Sequence, residues 1–488
     1  MPHDPEAILR QVGQADEHFR GLMGYLRGPE AQGSSAYEVE LTLFRSLLAL
    51  GAKLLTLFFM LRAAARVEEA PVAPDGSELR LHSWRQATYF SVFGPLRFRR
   101  RYYRTPDGSG TCPLDGELSL PRRCYSDLLR SWLEFGLTGE AYDQTVELLE
   151  RILGSGVSKR ALERLAAEDA GDVEVFYAQK TPPERSDEGS ILVVQADGKG
   201  VPMRVEDESA ARRTEKKEAV ITVIYSIEEH PADAEAIADK LAGMRVALDY
   251  ELPKTPRPQP VAKRLRATLD GKDVAFERLV HVVRQRDGPH IRHRVALTDG
   301  DPALQDRMRQ RLPEFTLVLD IVHVVGYVAE ASVALLGDSF PYLRDFVACR
   351  LHEILTGDLD GAIGTFELLV PLNQPSKANQ AIVATTLGYL RRNAPYMHYD
   401  QYLAYGWPIA TGMAEGACGH LVKDRMERAG MHWRKPGAQA VLDLRSVRVH
   451  DDWDDYQRFR RQREHHRSYP STHAPDSTVE QVALALAA

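Results

Sequence analysis

Two apolar runs, ILVVQAD at 191–197 and HRVALTD at 293–299, constrain the fold more than any other feature, and each ends in an aspartate. Neither alternates apolar with polar residues, so each reads as a strand buried on both faces. Around them AVITVIYSI and RLRATLD read as further strands, DVAFERLVHVVRQR and PALQDRMRQRL as helices, and FTLVLDIVHVV as another strand. Strands interleaved with helices predict a mixed α/β layer, in which strand ends at one edge can bring distant acids together.

The remaining pattern predicts separate modules. Residues 1–75 read as helical, ending at the turn-rich EEAPVAPDGSE. Within them SLLALGAKLLTLFFMLRAAA is the most apolar stretch, but Lys53 sits at its middle and Arg45 and Arg62 flank it, which argues against a membrane span. Leu43, Leu47, Leu50, Leu54, Leu57 and Leu61 recur at three- and four-residue steps, predicting a buried or partner-facing helix and an oligomerisation element. Residues 76–125 predict a small hairpin module turning at Gly94 and Pro95. It carries Arg80, Arg85, Arg97, Arg99, Arg100, Arg101 and Arg104 with no acid between 80 and 104, interleaved with aromatic residues.

Residues 126–186 read as helix-turn-helix, with GEAYDQTVELLERIL, the turn GSGV and SKRALERLAAEDA, Ser158 being the N-cap of the second helix. In that motif the second helix enters the DNA major groove, which nominates Lys159, Arg160 and Arg164. The α/β region covers 187–450, interrupted by a helical insertion at about 328–400. The charge-dense stretch 451–488 reads as a mobile tail.

The 44% hydrophobic and 27% charged fractions of the 488 residues fit a folded globular chain of roughly three domains. A net charge of -7 disfavours wholesale nucleic-acid binding, so local basic patches matter more than the sum. The four cysteines (112, 124, 349 and 418) form no CxxC pair, and MPHDPEAILRQVGQ lacks a signal-peptide pattern, so a reducing cytoplasm is the expected compartment. No HExxH, GxSxG or Walker A motif occurs.

Three carboxylates stand out: Asp197 and Asp299 at strand ends, and Glu415 in GMAEGACGHLVKDRM, whose helical face includes Cys418, Gly419, Val422 and Met426. Hard cations such as Mg2+ take carboxylate oxygens, and two cations about 4 Å apart neutralise the attacking and leaving oxygens of a phosphodiester. Asp299 competes with Asp320 and Asp301 for the second position and ranks first. Gly198 and Gly200 around Lys199 predict a flexible turn where a phosphate backbone approaches. Lys423, Arg425, Arg428, Arg434 and Lys435, with Trp433, form a second basic patch for holding DNA or stacking a base.

At these residues the chain resembles bacterial insertion-sequence transposases of the DDE class, most closely the ISKra-type group, with kinship to the Mutator-like enzymes. The resemblance is carried by VVQADGKGVPM, by ALTDGDPALQ followed by LVLDIVHVVGYVAEA, and by GMAEGACGHLVKDRMERAGMHW, and spans about 80–450. It implies a ribonuclease H-like α/β domain with an inserted helical subdomain, preceded by helical and small β-rich or helix-turn-helix DNA-binding modules. Catalytic and metal-binding roles would fall on Asp197, Asp299 and Glu415, with Mg2+ or Mn2+ as cofactor. Related families carry a nearby Asp and His on the next strand, which Asp320 and His323 match. The cysteine of the Mutator relatives has no counterpart near His323, whose role stays open. The implied partners are element ends and target double-stranded DNA, bound by a homodimer or higher homo-oligomer without a membrane, in a bacterial cytoplasm and at the nucleoid when acting. Two other readings are a transposase-derived DNA-binding protein that no longer cuts and a two-carboxylate glycosidase, the latter insensitive to chelators.

Overall fold

The computed structural model describes residues 5–65, 79–104, 110–205, 214–245, 257–428 and 430–470, apart from the side chains of 214, 244, 245, 414 and 415. The chain divides into two units, Met1–Val173 with Asp451–Ala488, and Glu174–His450.

The first unit opens with α1 (Pro5–Arg27), the single turn α2 (Pro29–Gln32) and α3 (Ala36–Ala64). Ser35 and Glu38 close a reciprocal cap at the start of α3. At 29 residues α3 outruns its apolar core and is long and apolar enough to cross a membrane by length and composition. The expected linker after it, EEAPVAPDGSE, lies outside the described residues. Next come β1 (Arg80–Ser91), β2 (Gly94–Arg104) and the two-residue β3 (Gly110–Thr111), an antiparallel sheet in that order. Gly94, with φ +98°, takes the left-handed conformation that closes the hairpin. Leu96 and Phe98 face inward and pack with Phe59 and Ala63 of α3, the Phe59 and Phe98 rings stacking at 4.2 Å.

Four helices follow, α4 (Pro113–Glu117), α5 (Asp127–Gly139), α6 (Tyr142–Leu153) and α7 (Lys159–Ala170). Gly154 ends α6 in the left-handed conformation and the Ser158 hydroxyl caps α7 by accepting from the Ala161 amide. α7 buries Ala161, Leu162, Leu165 and Ala166.

The second unit takes over within α8 (Val173–Gln179). Its strands are β4 (Ile191–Arg204), β5 (Thr214–Ile227), β6 (Val261–Thr268), β7 (His293–Thr298) and β8 (Thr316–Leu319), with α9 (Ala234–Arg245), α10 (Lys272–Arg286) and α11 (Pro302–Arg311) among them. They form one mixed sheet in the order β6-β5-β4-β7-β8; β4, β5 and β6 are antiparallel neighbours, while β7 and β8 run parallel to β4. On one face Leu192, Val194, Ala196 and Ala296 pack against Phe276, Leu279 and Val283 of α10 and Leu304 and Met308 of α11. β4 is buried on both sides, as its unbroken apolar run predicts.

Two readings of this region need correction. The expected turn after Asp197 is absent: β4 runs on to Arg204, with Gly198, Lys199 and Gly200 paired to Val220, Ala219 and Glu218. A Cβ at Gly198 would meet the Glu218 side chain, so close packing against β5 explains that glycine better than flexibility. The strand expected over FTLVLDIVHVV stops at Leu319, because Asp320 caps a helix there by accepting from the Val322 amide at 3.1 Å. His323 is therefore helical.

That helix is α12 (Ile321–Leu336), followed by α13 (Leu343–Leu355), α14 (Leu359–Asn373), α15 (Lys377–Asn393) and α16 (Tyr399–Ala404). α17 (Gly412–Ala417) then passes into a π-helical turn at Cys418–Lys423, the short α18 (Asp424–Met426) and α19 (Lys435–Val449). α20 (Trp453–Ser468) returns the chain to the first unit.

The charge density of 451–488 suggests a mobile tail, yet 453–468 is an ordered helix that buries Trp453, Tyr456, Gln457, Arg460 and His465. On its buried side the charge is paired: Arg460 binds Asp127 at 2.6 Å and Glu464 at 2.9 Å. Residues 471–488 lie outside the described part.

Candidate active site

The strand register aligns three aspartates. Gln195 pairs with Leu297 between β4 and β7, and Thr298 pairs with Leu319 between β7 and β8. Carried two residues on, past the ends of β7 and β8, this register sets Asp197, Asp299 and Asp320 side by side, Asp197 within β4 and the other two just beyond their strands. All three fall on the face opposite α10 and α11, because residues two apart on a strand share a face. α17 and its π-helical continuation pack on β4 from that side.

Each aspartate has different partners. Asp197 is half-buried; Oδ1 accepts from the Gly198 amide at 2.6 Å, and Oδ2 accepts from the Cys418 thiol at 3.0 Å. Asp299 accepts from the Asp301 amide at 2.9 Å. Burial pushes the Asp299 carboxyl above the usual carboxylate range, and the neighbouring Asp197 charge adds to this, against the pull of the Asp301 amide and of His323. Two like charges are thus held within range of each other at the sheet edge.

Asp320 is fully buried and committed to structure. It accepts from the Thr411 amide at 3.0 Å, the Thr411 hydroxyl at 2.6 Å and the Val322 amide, while His323 Nδ1 lies 2.6 Å from Oδ2. Burial alone would raise its pKa; the hydrogen bonds outweigh that and hold it below the usual range. An ionised Asp320 orients the His323 ring, with a proton on Nδ1. The His323 side chain is 39% exposed. Asp301 is the N-cap of α11, accepting from the Leu304 amide at 2.8 Å.

The helical insertion braces the Asp299–Asp301 turn. From α15, the Tyr389 hydroxyl donates to the Asp299 carbonyl at 2.9 Å and Arg392 donates to the Gly300 carbonyl at 3.3 Å. Gly300 has φ +97°, and a Cβ there would stand 2.9 Å from the Tyr389 ring. Tyr389 and Thr411 are functional supports that single-residue reasoning over the sequence misses, because only the fold brings them to the aspartates. Cys418 carried a signal, since it shares a helical face with Glu415.

Glu415 belongs to α17, three residues before Cys418, and its side chain lies outside the described residues. Among the described residues no group of three His, Cys, Asp or Glu side chains could hold a metal ion. Lys199 lies in β4, two residues beyond Asp197 on the same face, with Glu427 at 3.8 Å. Lys423 is exposed at the end of the π turn.

The expected basic patch after Glu415 is partly a core. Arg425 is 0% exposed, sits over the Trp433 ring at 4.8 Å and donates to Met431 Sδ. Trp433 is 6% exposed and donates its indole hydrogen to the Met426 carbonyl at 3.0 Å. Neither can reach a DNA backbone, and Lys435 is paired with Asp270 at 2.6 Å.

In the first unit, Lys159, Arg160 and Arg164 are all exposed on α7, Lys159 with Asp143 at 3.8 Å. The arginine triplet of β2 is split by strand alternation. Arg99 is exposed, Arg101 lies over Trp84 and donates to the Ala65 carbonyl at 3.2 Å, and Arg100 turns inward to pair with Asp115. Arg100 is thus a structural residue, not a DNA contact.

No family model and no curated protein matches the chain. Among solved structures it is similar to the Drosophila P element transposase strand transfer complex, at 13% identity over 69% of this chain and 81% of that one, with a TM-score of 0.25.

Proposed function

We propose that the chain is a DDE-type transposase that cuts and joins DNA through a divalent-metal site on Asp197 and Asp299, with Glu415 as the third carboxylate. The observation that carries this is the side-by-side placement of Asp197 and Asp299 at one sheet edge, where the Asp197 charge opposes ionisation of Asp299. Such a pair gains from a cation, and its hard oxygen donors suit Mg2+ or Mn2+. The sheet order, three antiparallel strands followed by two parallel ones, is the arrangement we read as ribonuclease H-like.

When bound, the metal would supply charge neutralisation at the attacking and leaving oxygens of the phosphodiester. The chain's own residues would do the rest. Asp320 orients the His323 ring next to the reacting edge, and Lys199 adds a positive charge two residues beyond Asp197. Water would open the phosphodiester at the element end, and the freed 3'-hydroxyl would then attack target DNA. Lys159, Arg160 and Arg164 would contact the major groove, and Arg99 the phosphate backbone.

The test is cleavage of supercoiled plasmid carrying the DNA that flanks the gene, with Mg2+ or with a chelator. Metal-dependent nicks ending in 3'-hydroxyl groups, lost in Asp197→Asn, Asp299→Asn and Glu415→Gln, are expected. Cleavage that survives these substitutions or the chelator would sink the proposal. The exposed basic start of α7 favours a second reading, a DNA-binding descendant that no longer cuts; it predicts metal-independent binding and no nicks.

A further inference from the structure

The first unit presents an apolar surface that the DNA chemistry does not use. α3 presents three sides. One, with Leu55, Phe59 and Ala63, packs on the β1–β2 hairpin. A second lies along α1, where Gln11 donates to the Lys53 carbonyl at 3.0 Å and His18 meets Ser46 at 2.9 Å. No described residue covers the third, on which Tyr37, Phe44, Leu47, Leu54, Phe58 and Leu61 are 71, 41, 54, 50, 44 and 50% exposed.

The spacing on that side is a seam. Leu47, Leu54 and Leu61 recur every seven residues, and with the half-buried Leu43, Leu50 and Leu57 they alternate steps of four and three. The six exposed side chains leave roughly 600 Å2 per copy, so a pair would bury about 1,200 Å2, the lower bound of specific interfaces. Charge sets the direction. Glu40 lies on the seam one heptad before Leu47, and Arg62 follows Leu61. A parallel pair would oppose Glu40 to its own copy, whereas an antiparallel pair sets Glu40 near Arg62 and Leu47 against Leu54. Among the described residues Arg62 pairs with Glu117 at 3.2 Å, an exposed contact that exchanges at little cost.

We infer that α3 pairs antiparallel with α3 of a second copy through the Leu47, Leu54 and Leu61 face, making the chain a dimer without DNA. This does not rest on the DNA-cutting reading. Sedimentation velocity of the full chain at micromolar concentration should give twice the monomer mass of 54.7 kDa. Leu47→Glu combined with Leu54→Glu should give the monomer with an unchanged circular-dichroism spectrum. For direction, in a Cys349→Ser background that removes an exposed thiol, Glu40→Cys mixed with Leu61→Cys should cross-link, and neither should cross-link alone. A monomeric wild type, a dimer that survives the double glutamate substitution, or monomers floating with phosphatidylcholine vesicles would overturn the inference. Cross-linking of Leu61→Cys with itself would overturn the antiparallel arrangement.

Discussion

Cys418 donates its thiol hydrogen to Oδ2 of Asp197 across 3.0 Å, tying the π-helical turn to the end of β4. The same turn follows Glu415 by three residues, so this bond fixes how the Glu415 helix meets the strand. Cys418→Ser keeps a donor of similar size and should leave stability within about 1 kcal/mol of wild type, while Cys418→Ala should cost about 1–2 kcal/mol by leaving a carboxylate oxygen without it. Denaturant titration of the two variants decides the matter. Equal losses in both would mean that the side chain fills space and the hydrogen bond holds nothing.

Asp299 is held where burial and Asp197 both oppose its charge, so the metal-free site stores unfavourable free energy. Asp299→Asn keeps the oxygen that accepts from the Asp301 amide and removes the charge. In chelator it should raise stability by about 1 kcal/mol, as expected where a site trades stability for function. Mn2+ should raise the thermal midpoint of the wild type and leave that of the variant unmoved. A destabilised variant that still responds to Mn2+ would remove Asp299 from the site.

What could be read from the sequence follows from the range of the forces involved. Continuous apolar runs identify β4 and β7, and their aspartates are aligned by the parallel register of the two strands, although β4 itself runs on past Asp197. The boundary at Asp320 is not legible in the sequence, because IVHVV suits a strand and a helix equally by composition; the cap at Asp320 decides between them. Arg425 and Trp433 looked like surface groups because charge patterning is blind to burial. Helix α20 was taken as mobile for the same reason: its arginines have partners on α5 and α7, over 280 residues away in sequence.

The buried placement of Arg425 and Trp433 gives a prediction that separates core from interface. Trp433→Ala should cost about 3–5 kcal/mol, the range for emptying a tryptophan site. Arg425→Gln should also destabilise, since its guanidinium packs on that ring. Arg99→Gln, on an exposed strand position, should leave the unfolding midpoint within about 0.5 kcal/mol of wild type while weakening DNA binding at low salt. Measured together, unfolding and DNA affinity should move in opposite residues; a DNA-specific defect in a stable Trp433→Ala protein would refute the core assignment.

Glu134 of α5 supplies the pH dependence. It is completely buried beside Asp169 and accepts from Gln457 at 3.2 Å. Burial first, and then the Asp169 charge, raises its pKa well above the usual range, although Arg460 and Arg130 pull the other way. Asp169 itself is lowered, because Arg460, the hydrogen bond with Glu134 and Arg130 together outweigh its burial. The signs differ. Between the ordinary carboxyl value and its raised folded value, Glu134 holds a proton in the folded chain that the unfolded chain has released, so its contribution falls as pH rises. Asp169 contributes above its unfolded value and loses that contribution only as pH falls through its lowered folded value. Glu134→Gln removes the first effect and keeps the oxygen that accepts from Gln457. Relative to wild type, the variant should therefore gain stability as the pH rises from about 5 to about 8. Thermal melts of both proteins at the two pH values check this, because effects of net charge common to both cancel in the difference. A pH-independent difference would show that Glu134 is ionised in the folded protein and that the two arginines, not burial, set its state.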